Sequence, residues 1–77
     1  MPHVIVKLAA GRSEQLKQNL AAELAKAVTS TLHCDEASVS VAIEDVEMTD
    51  WTEKVYVPDI KEKPELIYRK PGYDPLR

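Results

Sequence analysis

Two stretches of strictly alternating polarity, separated by one long stretch with a four-residue apolar repeat, fill the first half of this chain and leave few folds open to it. His3-Val4-Ile5-Val6-Lys7-Leu8 is rich in β-branched residues, and its alternation puts Val4, Val6 and Leu8 on one face with His3, Ile5 and Lys7 on the other. Ser38-Val39-Ser40-Val41-Ala42-Ile43-Glu44 alternates in the same way and predicts a second strand that buries Val39, Val41 and Ile43. Between them Leu16, Leu20, Leu24, Val28 and Leu32 make one apolar stripe, flanked by Ala21, Ala25 and Ala27, while Lys17, Glu23 and Lys26 lie off it. Gly11 ends the first strand, and Ser13 is placed to cap a helix whose first turn carries Glu14 and Gln15 and which ends near His33. A strand, a helix and a strand close as a parallel pair with a right-handed crossover. The expected fold class is therefore α/β (α+β), a β-α-β protomer.

One helix covers one face of a two-stranded sheet, so a partner chain or the C-terminal third has to cover the other. The 77 residues suit a single domain, residues 1–77, of a size whose core gives little net stability unless something reinforces it. Cys34 is the only cysteine, which excludes an internal disulfide, and no Cys/His zinc spacing is present, so oligomerisation is the expected reinforcement. Asp50-Trp51-Thr52-Glu53 has capping-box spacing and predicts a short C-terminal helix of about two turns that stops at Pro58. Pro58, Pro64, Pro71 and Pro75 punctuate the tail, where Leu66-Ile67-Tyr68-Arg69 is the one candidate edge strand. Such a tail has too few apolar residues to fold alone and is expected to lie against a partner subunit.

Several function classes drop out on composition. No apolar run reaches the roughly 18 residues of a spanning helix, and no signal-peptide pattern opens the chain, so the expectation is a cytoplasmic protein with no membrane partner. Ten basic against thirteen acidic residues give a formal charge of −3, with no basic stripe interleaved with aromatics, which argues against a nucleic-acid partner. His33-Cys34-Asp35-Glu36 gathers metal-capable side chains, but four consecutive loop residues rarely converge on one ion, and no metal site is expected. Glu44, Asp45, Glu47 and Asp50 read as a solvated acidic rim, and Cys34 has no neighbouring base to activate it.

The residue directly behind Met1 is Pro2, a small residue that permits removal of the methionine. Removal would leave Pro2 as a free secondary amine. Met-Pro followed by an apolar strand, Gly11-Arg12-Ser13 opening a long amphipathic helix, and Ser38-Val39-Ser40-Val41 as a second strand resemble the 4-oxalocrotonate tautomerase family, in order and spacing, over about the first 52 residues. The tail, with Asp50-Trp51-Thr52-Glu53-Lys54-Val55-Tyr56 and Lys70-Pro71-Gly72-Tyr73, is most similar to the PptA-type bacterial tautomerases, which implies a homodimer.

That resemblance implies that Pro2 is a general base and proton carrier for keto-enol tautomerisation of a small carboxylate substrate, with no cofactor. An apolar pocket disfavours the prolyl cation and lowers its pKa toward the working pH. Arg12 matches the substrate-carboxylate arginine of the family, its planar fork suiting a bidentate contact; read by itself, it is an arginine in a turn that pairs with Glu14 or solvent. Ser40 stands where the type enzyme has a second arginine, and Trp51 where it has a phenylalanine. One cation fewer and a large indole shift the expected substrate from dicarboxylates toward monoacids such as enolised aryl pyruvates. Trp51 is equally suited to plain core or interface packing. His3 sits beside the base, where a structural role is the expected one.

Two other readings remain at this level. Superfamily dehalogenases and decarboxylases keep the proline as a proton donor, but need an arginine pair or a water-activating carboxylate, and Ser40 argues against the former. A non-catalytic dimeric interaction module would leave Pro2 exposed, merely starting a strand.

Overall fold

The computed structural model describes residues 1–77, and the chain divides into two compact units, Met1–Asp45 and Val46–Arg77. In the first, β1 spans His3–Ala9, α1 spans Glu14–Leu32 and β2 spans Ser40–Val46, with a single 3-10 turn at Glu36–Ser38 between α1 and β2. The strands pair as a parallel two-stranded sheet, and the unit is the expected β-α-β.

Both ends of α1 follow from the residues that hold them. The Ser13 hydroxyl accepts the Leu16 N–H at 3.2 Å, satisfying one of the donors a helix start leaves free. At the other end His33 takes the left-handed conformation (φ 56°, ψ 49°), and its N–H donates to the Thr29 carbonyl at 2.9 Å. Gly11 turns out of β1 at φ 122°, a conformation that L side chains rarely adopt.

Side-chain partners fix the two faces of the sheet. Asp45 accepts a 2.8 Å ion-pair contact from Lys17 of α1, so it points to the helix side, and the alternation carries Val41 and Ile43 with it. Ser40 points the other way, because its hydroxyl meets His3, and that face also carries Ile5, which is 58 % exposed. Lys17 was expected off the apolar stripe. It instead lies largely covered, between Glu14 at 3.0 Å and Asp45, and links α1 to the end of β2.

β2 begins two residues later than the alternation suggests, because Ser38 is drawn into the preceding turn: its N–H and hydroxyl both reach the Asp35 carbonyl, at 3.0 and 2.7 Å. Side-chain satisfaction of that kind competes with strand pairing.

The second unit departs further from expectation. A 3-10 turn at Met48–Asp50 leads through Trp51 into a π-helix over Thr52–Lys61, with no side-chain cap at its start, so the capping box at Asp50 does not form. Asp50 instead pairs with Lys54 at 3.3 Å. The helix also runs past Pro58. Its last turn is wide, with Glu62 N–H donating to the Val57 carbonyl five residues back at 3.0 Å. A proline ring collides with the carbonyl four residues earlier in an α-helix, and a wider turn relieves that collision. The expected edge strand at Leu66–Arg69 is absent. Pro64 starts a 3-10 turn over Pro64–Leu66, closed by Leu66 N–H to Lys63 and Ile67 N–H to Pro64, and the remaining residues form bends and turns. Val55 is the one buried apolar residue in the protein, at 5 % exposure.

Candidate active site

The start of the sheet brings Pro2 and His3 together with Ser40. Pro2 is half-buried and directly precedes β1, and its carbonyl accepts the Ser40 N–H at 3.2 Å. That bond opens the ladder between the strands and locks the backbone of Pro2 to the first residue of β2. On the free face of the sheet the Ser40 hydroxyl lies 2.6 Å from His3 Nδ1, a short contact in which either atom can donate, depending on the imidazole tautomer. The Ser40 residue therefore holds Pro2 with its backbone and His3 with its side chain. The His3–Ser40 pairing was not anticipated from the sequence, although both residues begin their strands, and in-register parallel strands bring such positions side by side.

Arg12 lies elsewhere. Its guanidinium Nη1 donates to the Ala9 carbonyl at 2.9 Å, at the far end of β1. The strand separates that carbonyl from Pro2 by seven residues, which at about 3.3 Å each is roughly 20 Å. A single chain thus does not bring Pro2 and Arg12 to one site. The alternative pairing of Arg12 with Glu14 is not seen either, since Glu14 pairs with Lys17.

Trp51 belongs to the second unit, where its indole N–H donates to the Tyr73 hydroxyl at 2.8 Å. Tyr73 in turn packs against Tyr56, with ring centroids 5.8 Å apart at a tilt of 45°. Burial, followed by the neighbouring Asp74 carboxylate, pushes the Tyr56 phenol above its ordinary value of 10.0. Tyr73 stood out in the sequence only as part of the Lys70-Pro71-Gly72-Tyr73 motif; its bond to Trp51 was not anticipated, because the two residues are 22 apart in the chain. The ring pair forms part of an open pocket of about 450 Å³, lined by residues from Tyr56 to Arg77 and including none of Pro2, Arg12, Ser40 or Trp51. No group of His, Cys, Asp or Glu side chains is arranged to hold a metal ion, and His33, Asp35 and Glu36 are exposed. No helix is long and apolar enough to cross a membrane.

The first unit is thus a parallel β-α-β unit opened by a proline and paired through that proline's own carbonyl. The family model described as "Tautomerase enzyme" matches residues 2–56, and the chain belongs to that family; it is an isomerase that acts as a tautomerase. Among named relatives, "Probable tautomerase" of Xylella fastidiosa (strain 9a5c) is 51 % identical over 76 residues, spanning 99 % of this chain and 93 % of that one. Tautomerase PptA of Cronobacter sakazakii is 36 % identical over 75 residues, spanning 96 % and 99 %. Among solved structures, the apo form of unFused 4-OT superposes with a TM-score of 0.62 at 33 % identity, over 64 % of this chain and 80 % of that one. YwhB, a homologue of 4-oxalocrotonate tautomerase, gives 0.58 at 35 % identity, over 60 % and 75 %.

Proposed function

We propose that this tautomerase interconverts the keto and enol forms of small 2-keto and 2-hydroxy-enoic acids such as enol-phenylpyruvate, with the Pro2 amine as base and proton carrier once Met1 is removed. The observation that carries the reading is the fixed position of Pro2, whose carbonyl is bonded to Ser40 at the head of a sheet whose other anchor is His3. A base whose backbone is held needs little reorganisation when the proton moves. In ketonisation the Pro2 nitrogen takes the enol hydroxyl proton as that O–H pair becomes the carbonyl. The C=C pair then takes the same proton back from the prolinium at carbon. The cycle returns Pro2 to its neutral form and consumes no cofactor.

Arg12 serves as the carboxylate anchor in this reading. Because its guanidinium lies at the opposite end of β1 from Pro2, a complete site draws Arg12 from a second copy of the chain. The exposed Ile5 on the helix-free face of the sheet, and a chain of this size with a single buried apolar residue, support association into a homodimer. Ser40 and Trp51 are the proposed selectivity residues, each within its own unit of the chain. Ser40 offers a neutral hydroxyl already engaged by His3, which favours one substrate carboxylate over two. Trp51, steadied by Tyr73, supplies an apolar wall for an aromatic substrate body. In this reading residues 1–77 act as one domain, in the cytoplasm.

The test compares ketonisation of enol-phenylpyruvate with hydrolysis of a 3-haloacrylate by the Met1-free protein. Turnover of the enol, lost in Pro2→Ala, is the expected result. Turnover of the haloacrylate alone would reassign the chain to the hydrolytic branch of its superfamily.

A further inference from the structure

The pocket in the second unit is positively charged in a chain that is negative as a whole. Lys61, Lys70 and Arg77 line it against one acidic side chain, Asp74, which leaves a side-chain charge of +2 there while the side chains of the full chain sum to −3. The three cations form no ion pair, whereas Lys17, Lys26, Lys54 and Lys63 each have an acidic partner within 4 Å. One oxygen of Asp74 accepts the Leu76 N–H at 2.9 Å, and no cation of the pocket lies within ion-pair distance of it. Asp74 offsets one of the three cations, and the side chains lining the pocket stay positive on balance.

The interior is fixed where the rim is charged. Tyr73 is tied to Trp51 and packed on Tyr56, so two aromatic rings stand in a set orientation against Ile60 and Ile67. A cavity of about 450 Å³ is of the size that takes a small organic ligand, with apolar walls for its body and a few charges for its orientation. A bare inorganic anion would leave the rings unused; a neutral aromatic would leave the cations unpaired.

We infer that this pocket is a second ligand site, one that binds a planar aromatic carboxylate, with the carboxylate on Lys70 and Arg77, Lys61 at the rim, and the ring beside Tyr56 and Tyr73. The site shares no lining residue with Pro2, Arg12 or Ser40 and does not depend on the reading of their chemistry.

Titration of the full-length protein with isophthalate, followed by amide NMR, tests the inference, with isophthalamide as the uncharged probe of the same shape. Saturable shifts at Ile67, Gly72 and Tyr73 are expected, with affinity weakened at least fivefold in Lys70→Ala/Arg77→Ala, about twofold in Lys70→Gln, and retained in Lys70→Arg. Isophthalamide is expected to bind at least fivefold more weakly. Isophthalate shifts confined to His3, Ser40 and their neighbours, equal binding of isophthalamide, or unchanged affinity in both Lys70→Gln and the double variant would overturn it.

Discussion

Pro2 carries no reactive side chain, so its proposed chemistry depends on one cleavage and one hydrogen bond. Replacing it by Ala leaves a primary amine with a different basicity and a floppier geometry, and kcat/KM for enol-phenylpyruvate is expected to fall by about 100-fold or more, the usual contribution of a positioned base. Steady-state kinetics checks this, with the amide NMR spectrum confirming the fold. Two other side chains set the response to alkali. The Asp45 carboxylate, then Glu14, hold the Lys17 ammonium above its ordinary value of 10.5, and burial, then Asp74, hold the Tyr56 phenol above 10.0. A group whose folded-state pKa is raised stabilises the fold below its unfolded pKa and ceases to do so as pH rises through the folded value. Stability from Lys17 is therefore present at neutral pH and lost above pH 10.5. Denaturation of Asp45→Asn and wild type at rising pH is expected to give a difference near neutrality that closes in strong alkali; a constant gap would contradict it.

At the scale of elements, the caps of α1 make the sharpest predictions. Ser13→Ala removes the acceptor for Leu16 N–H and is expected to cost about 1 kcal/mol in urea denaturation, with Ser13→Gly costing only a few tenths. Gly11→Ala forces a side chain to φ 122° and is expected to destabilise by about 1–2 kcal/mol although its Cβ would meet nothing. These elements are also where the sequence was most legible. Alternation in residues 3–8 and the leucine stripe are set by local periodicity, and both survive into β1 and α1. The second unit was misread at each point where tertiary satisfaction outweighed a local pattern. Asp50 favours Lys54 over a cap, Pro58 is absorbed by a wide turn rather than ending the helix, and Leu66 is held in a turn that Pro64 begins. The same limit applied at the candidate site: Pro2 and Ser40 were visible as residue types, but their hydrogen bond, and the roughly 20 Å that strand geometry puts between Pro2 and Arg12, depend on register and strand direction.

For the whole molecule, a helix covers one face of the sheet while Ile5 stands open on the other, and the ends of the leucine stripe, Leu16 and Leu32, are 57 % and 60 % exposed. A homodimer that buries such surface makes stability depend on protein concentration. Sedimentation across a hundredfold dilution is expected to show dissociation and activity loss together if, as proposed, each site draws its Arg12 from the other copy. Ile5→Lys is expected to weaken the dimer and lower activity without unfolding the monomer. The central claim concerns the amine itself, and its most direct test is the ketonisation rate of protein prepared with and without Met1, each form verified by intact mass. Activity confined to the form that begins at Pro2, with a pH-rate inflection that matches the titration of the labelled Pro2 nitrogen, is the predicted result. Equal rates from the form that keeps Met1, in which Pro2 is a non-basic amide, would contradict it.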